Sequence, residues 1–274
     1  MKLAAVTDEI SIDPHAAVYI GVKQFGIRHY ELRMMPDGRV PDISEQTVDR
    51  LVGLKEKYGI SYSAISAGLF KCEPIAEKME HELRVRLEAC IALAKRLDVS
   101  LITGFALIDH HRHRPAELFE RAVPYFQQAC ERLAEVQMTF AVETEFMSGC
   151  ETAAEARRMI ERTGPRLKVN WDPANAWIAG ELPLEGYVHV CGHLANVHVK
   201  DADTRDWRSR NPFVPLGDGK VPWQPVLDVL TRDRTAPMLT VETHVEPLIP
   251  NTEKGVSVLR KMLQNAEAGR DLSC

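Results

Sequence analysis

Short apolar runs alternate with amphipathic stretches along the whole chain. Leu3–Thr7, Ile27–Arg33, Ile60–Ala67, Val99–Ala106, Met138–Glu143, Leu167–Asp172, Asn196–Lys200 and Met238–Glu242 have the length and composition of strands. The stretches between them place apolar residues at helical spacing. His15–Phe25 follows Pro14, which suits a first helical turn, and closes at Gly26. Thr47–Tyr58 carries Val48, Leu51 and Leu54 on one stripe, with Ser44 as its cap and Gly59 as its stop. Glu77–Leu97 and Ala116–Val136 are longer helices. Thr152, with Glu155 three residues on, forms a capping box for a helix through Glu161. Helices near Leu184–Cys191, from Pro222 to Leu230 and over Glu253–Asn265 complete the set. Pro36–Pro41, Asp109–Pro115 and Asp201–Lys220 read as loops, and the chain after Pro173 as irregular.

A strand followed by a helix, eight times over, implies parallel strands joined by right-handed crossovers. The expected fold class is α/β, a (β/α)8 barrel forming a single domain over residues 1–274 with a frayed tail after Ala266; an open doubly wound sheet is the alternative. The length of 274 residues fits, since such barrels typically take about 250.

Composition narrows the function classes. The apolar fraction is 45% and the charged fraction 27%, which allows a sizeable core. A net charge of −5 and a pI of about 6.1 give no basic footprint for nucleic acid. The six cysteines show no metal-binding spacing. The first residues lack the apolar core of a signal peptide, and no run approaches the roughly 20 apolar residues of a membrane span. These features predict a cytoplasmic, reduced enzyme that binds neither nucleic acid nor membrane. Exposed helices of such a barrel can pair into a homo-oligomer, but no segment announces it.

Strand parity supplies the chemistry. Side chains alternate faces along a strand, and active sites of such barrels lie at the carboxyl ends of the strands. If Phe140 and Val142 face the helices, Glu143 faces inward. The same count turns Asp172, His198 and Glu242 inward on the next three strands. Three carboxylates and one imidazole at one mouth need a cation, because buried like charges repel. The donor set suits Mn2+, Mg2+ or Co2+, with Zn2+ also compatible. Ion pairs to Lys168, Lys200 or Arg205 are the competing reading.

The segments VTDEIS (Val6–Ser11), YELR (Tyr30–Arg33), AVETEF (Ala141–Phe146), WDPANAW (Trp171–Trp177), NVHVKD (Asn196–Asp201), PLGDGKVPW (Pro215–Trp223) and TVETH (Thr240–His244) resemble the sugar phosphate isomerase/epimerase family of the xylose isomerase-like TIM-barrel superfamily. The resemblance spans nearly the whole chain. It implies that Glu143, Asp172, His198 and Glu242 hold one divalent metal and that the two glutamates double as acid/base groups. Members that epimerise free ketoses often carry histidine three residues after the aspartate ligand. Asn175 stands there in this chain, as a candidate substrate contact.

A metal that chelates a carbonyl and its neighbouring hydroxyl acidifies the adjacent C–H. Returning the proton to the other face gives epimerisation, and returning it to the next carbon gives isomerisation. Losing hydroxide gives dehydration. The leading expectation is an isomerase or epimerase of a sugar or polyol, followed by a dehydratase of a keto-polyol or keto-acid such as an inosose. A non-catalytic sugar-binding barrel is the alternative from another class. A DNA-repair endonuclease on the same fold would need further metal-binding histidines and a less acidic chain. Lys200 could polarise a substrate oxygen or pair with Glu242 or Asp201. Glu31 and Arg33 could bind substrate hydroxyls or pair with each other, and Glu9 is a weaker candidate of the same kind. Arg205, with Arg208 and Arg210, could grip a phosphate or carboxylate, or simply line a solvated loop. The Asp109–His113 tract is a candidate second metal site or a rim of the mouth. Gly217-Asp218-Gly219 reads as a turn.

Overall fold

The computed structural model describes residues 1–109, 112, 114–206, 209 and 211–271. Eight parallel strands close on themselves: β1 (Lys2–Val6), β2 (His29–Leu32), β3 (Ser61–Leu69), β4 (Leu101–Gly104), β5 (Thr139–Glu143), β6 (Lys168–Trp171), β7 (Leu194–Val199) and β8 (Met238–Val241). Each pairs with its neighbours in sequence order. The seam between β8 and β1 runs from Lys2 opposite Met238 to Ala5 opposite Val241. The expected barrel is therefore the observed one.

Parity explains why the barrel packs as it does. Phe140 points outward from β5, and its ring lies 4.9 Å from that of Phe126 and 6.1 Å from that of Phe70. Tyr30, Leu32, Val142, Val169, Trp171, Val197, Val199 and Val241 are buried in the same layer between strands and helices. The strands come close together here: a Cβ on Gly104 would collide with the Leu69 carbonyl and the Phe140 ring. Helix starts follow local chemistry. Ser44 caps Glu45–Tyr58 through its hydroxyl, and Thr152 with Glu155 forms the full capping box of Ala153–Thr163.

Three expectations are corrected. The chain after Pro173 is not irregular but helical over Pro173–Ile178, because the Asp172 carboxylate accepts hydrogen bonds from the Ala174 and Asn175 N–H groups. The last helix is much longer than expected and spans Leu248–Asp271. Two loops contain short antiparallel ladders, Met34–Met35 with Gly38–Arg39 and Asp201–Ala202 with Phe213–Val214. His110, His111 and His113 of the histidine-rich tract lie outside the described residues, as do Trp207, Arg208 and Arg210 of the loop after β7. No helix among the described residues is long and apolar enough to cross a membrane.

Candidate metal centre

The carboxyl ends of β5 to β8 deliver four groups to one point. One ligand atom each from Glu143, Asp172, His198 and Glu242 lies within 4.8 Å of the others, and all four residues are buried. Glu143 ends β5, Asp172 follows β6, His198 is in β7 and Glu242 follows β8. The inward parity of His198 is set by Val197 and Val199, which bury their side chains on the other face.

His198 shows which of its nitrogens faces the centre. Nε2 lies 3.1 Å from both carboxylate oxygens of Glu31 and 3.2 Å from the Asn170 amide nitrogen, and the Glu31 carboxylate favours the tautomer with its proton on Nε2. Glu31 is itself fixed by the Asn196 amide at 3.0 Å, and Thr240 donates to the Asn196 oxygen at 2.8 Å. A proton held on Nε2 leaves the Nδ1 lone pair free. That atom is buried and without a hydrogen-bond partner, 3.4 Å from Glu143 Oε1 and 3.2 Å from Glu242 Oε2. An imidazole oriented by a carboxylate behind it, with its other nitrogen aimed at carboxylate oxygens, is the usual arrangement of a metal-binding histidine. Burial opposes a positive charge on His198, but Glu31, Glu242 and Glu143 outweigh it and push its pKa well above the ordinary value. The residues thus fit a cation: a proton or a metal ion must answer the carboxylates at Nδ1.

The other charges are distributed unevenly. Lys200 Nζ lies 2.8 Å from Glu242 Oε2 and 2.7 Å from Asp172 Oδ2, the second contact being an ion pair outside hydrogen-bonding geometry. Arg33 reaches Glu242 at 2.5 Å, Glu9 at 2.6 Å and Asp8 at 2.8 Å. His244 bridges Glu9 at 3.0 Å and Glu242 at 3.2 Å. Burial would raise the Glu242 pKa, yet Lys200, His244 and His198 hold it well below the usual carboxylate range. Glu143 has a lighter load: the Asn170 amide donates to it at 3.0 Å, and His198 is its nearest cation. Burial lifts Asp172 to about 6 despite Lys200. Glu9, Glu242 and His244 form a second convergent group, but the Arg33 guanidinium already occupies it.

The sequence candidates divide accordingly. The four proposed ligands come together. Lys200 pairs with Glu242, as one reading had it, and with Asp172 rather than Asp201. Glu31 and Arg33 do not pair with each other: Glu31 supports His198, and Arg33 ties the ends of β1, β2 and β8 together. Asn175 is buried, and its amide donates to Glu145 at 2.8 Å and to the Thr144 carbonyl at 3.1 Å. Arg205 is exposed and stacks 4.7 Å over the Trp177 ring. Asp201 is more than a strand-end residue: its carboxylate accepts from the N–H groups of Ala202, Gly217, Gly219 and Val221. It organises the Gly217–Gly219 turn around itself. Asn170 and Asn196 have no role in the sequence reading, and Arg39 does not figure in it at all. Parity does turn Asn170 and Asn196 inward, but it assigns them no partner, and the structure supplies Glu143 and Glu31 as those partners; Arg39 sits in a hairpin with no periodic pattern.

Residues 21–262 match the family described as the xylose isomerase-like TIM barrel. The chain belongs to that family. No curated protein matches it significantly over its sequence. Among solved structures it is similar to the probable 3-DHS dehydratase AsbF of Bacillus anthracis, involved in petrobactin synthesis, with a TM-score of 0.78 at 19% identity over 95% of this chain and 99% of that one. It is also similar to the IolI protein with a bound zinc atom, with a TM-score of 0.79 at 17% identity over 97% and 98% of the two chains. An L-ribulose 3-epimerase gives a TM-score of 0.78 at 15% identity over 100% and 98%. At these identities the likeness shows the fold. Structures of such differently named proteins share the barrel, and the likeness does not fix a reaction.

Proposed function

We propose that this family member is a divalent-metal-dependent isomerase or epimerase of a sugar or sugar derivative, acting by proton abstraction next to a carbonyl. The observation that carries the reading is the convergence of three buried carboxylates and the His198 imidazole, one ligand atom of each lying within 4.8 Å of the others. Glu143, Asp172, His198 and Glu242 would hold the ion, with Mn2+, Mg2+ or Co2+ best suited and Zn2+ compatible. When bound, the ion supplies Lewis-acid polarisation of the substrate carbonyl and adjacent hydroxyl.

Glu143 is the base in this reading, because one amide and one imidazole are a lighter load than the cations on Glu242. Glu242 stays ionised under that load and is a poor proton donor. Return of the proton by Glu143 itself, to the neighbouring carbon, is the outcome this asymmetry favours, and it amounts to isomerisation. Epimerisation would require Glu242 to serve the opposite face. Lys200 lines the cavity and binds a substrate oxygen as a cation. Burial opposes its charge, but Asp172 and Glu242 raise its pKa well above the ordinary lysine value. A dehydratase of a keto-polyol or keto-acid would use the same base. It ranks second because Lys200, so held, is a weak acid for a departing hydroxide. The described cysteines are free thiols, which suits a reducing compartment such as the cytoplasm.

Two measurements test this. Elemental analysis of reconstituted, dialysed protein should find one divalent ion per chain; a metal-free protein would remove the basis of the reading. Keto-sugars incubated in D2O should then show metal-dependent C–H exchange, reduced about a hundredfold or more in Glu143→Gln. Undiminished exchange in that variant would exclude Glu143 as the base.

A further inference from the structure

The cavity at the barrel mouth has a volume of about 300 Å³. That lies at the small end of ligand pockets, about 300–1,000 Å³, and fits a monosaccharide-sized molecule. Four cationic side chains line it: Arg33, Arg39, Lys71 and Lys200. Three have carboxylate partners. Arg33 holds Asp8, Glu9 and Glu242, Lys200 holds Asp172 and Glu242, and Lys71 holds Glu145 at 3.1 Å. Arg39 has no carboxylate partner among the described residues. Its Nε donates to the Ser66 carbonyl at 3.1 Å, and its two terminal nitrogens find no acceptor among the described residues.

The guanidinium is nevertheless held in a built place. It lies against Gly68, where a Cβ would stand 2.9 Å from both Cζ and Nε, and Gly68 has a φ of +67° that suits glycine. Burial, with Arg33 nearby, lowers the Arg39 pKa below the ordinary arginine value, and the more distant carboxylates of Glu143, Asp8 and Glu242 only partly oppose this. Leaving a desolvated cation unpaired is costly. A positioned guanidinium with an open fork in a ligand-sized cavity is matched by an anion that arrives with the ligand.

We infer that the substrate carries a carboxylate, received bidentately by the terminal nitrogens of Arg39, so that the substrate class is a sugar acid. The inference rests on the metal-dependent reading of the same cavity and adds the charge of its substrate. A planar fork matches one carboxylate. A phosphate dianion is disfavoured, because Asp8, Glu143, Glu145 and Glu242 also line the cavity and repel a second negative charge.

The test is calorimetric titration of the metal-loaded protein with D-gluconate, its neutral counterpart D-sorbitol, and D-glucose 6-phosphate. Gluconate should bind about tenfold or more tightly than sorbitol, as expected for a hydrogen-bonded charge pair. Arg39→Gln should abolish that ratio and Arg39→Lys should lose most of it, both with wild-type metal content. Equal binding of gluconate and sorbitol would overturn the inference. So would a preference that survives in Arg39→Gln, which would place the carboxylate on the metal, or tighter binding of glucose 6-phosphate. If the protein loads no metal, the proposed function fails by itself, and the same ratio on metal-free protein still reports on Arg39.

Discussion

Lys200 stands between two carboxylates that a metal ion would also use, so its removal separates stability from chemistry. Lys200→Met leaves Asp172 and Glu242 buried without their ammonium, which costs about 3–5 kcal/mol when one partner of a buried pair is lost. Chemical denaturation of metal-free protein should show that loss, and added Mn2+ should recover much of it. Metal content of the loaded variant should stay near wild type while turnover falls. Loss of metal together with turnover would make Lys200 a support of the ion rather than a substrate contact. At this scale the sequence was informative where a strand imposed its parity. Glu143, Asp172, His198 and Glu242 could be placed inward one by one because a strand has only two faces. Partners were not legible. Arg33 meets Glu242 across 209 residues of chain, and no local pattern encodes that meeting. Arg39 was invisible for a related reason, since its position depends on a glycine from a different strand.

Elements carry the second layer of the site. Asp172 divides its carboxylate, with Oδ1 accepting from the Ala174 and Asn175 N–H groups and Oδ2 facing Lys200. The helix Pro173–Ile178 and the candidate metal centre therefore share one side chain. That helix escaped the sequence reading because six residues, starting with proline, are too few to show a period. The Asp201 turn is the counterpart on the next strand. Four backbone N–H groups converge on its carboxylate, and a Cβ at Gly219 would collide with it. Asp201→Ala should cost at least about 2 kcal/mol, since buried donors lose their acceptor. A drop in denaturation midpoint, with faster hydrogen exchange at Gly217, Gly219 and Val221, is the expected result. Unchanged exchange at those amides would mean that the turn holds itself.

For the whole molecule, the decisive event is closure of the barrel. Beside the β1–β8 pairing, Glu9 after the first strand takes His244 after the last at 3.0 Å, and Thr252 donates to the Glu9 carbonyl at 2.6 Å. Burial opposes ionisation of Glu9, but His244 and Arg33 bring its pKa down to about 2. Burial likewise opposes the charge on His244, while Glu242 and Glu9 lift it to about 9. Glu9 thus adds stability above the ordinary glutamate pKa, lost as pH falls through about 2. His244 adds stability that is complete below the ordinary histidine pKa and is lost as pH rises through about 9. In chelator-treated protein, the difference in melting temperature between wild type and His244→Gln should be largest near pH 5 to 6 and vanish above about 9. A difference independent of pH would show that packing, not charge, closes the seam. The barrel itself was legible because eight strand–helix units leave few topologies open. The charge traffic across its mouth was not, and it has one further consequence. Arg33 and Lys200 already offset the carboxylates around them, so the chain can reach its native shape before any ion arrives. If the site takes the proposed ion, loading would follow folding, the ion would exchange without unfolding the barrel, and supply as much as the ligands would set which metal resides there.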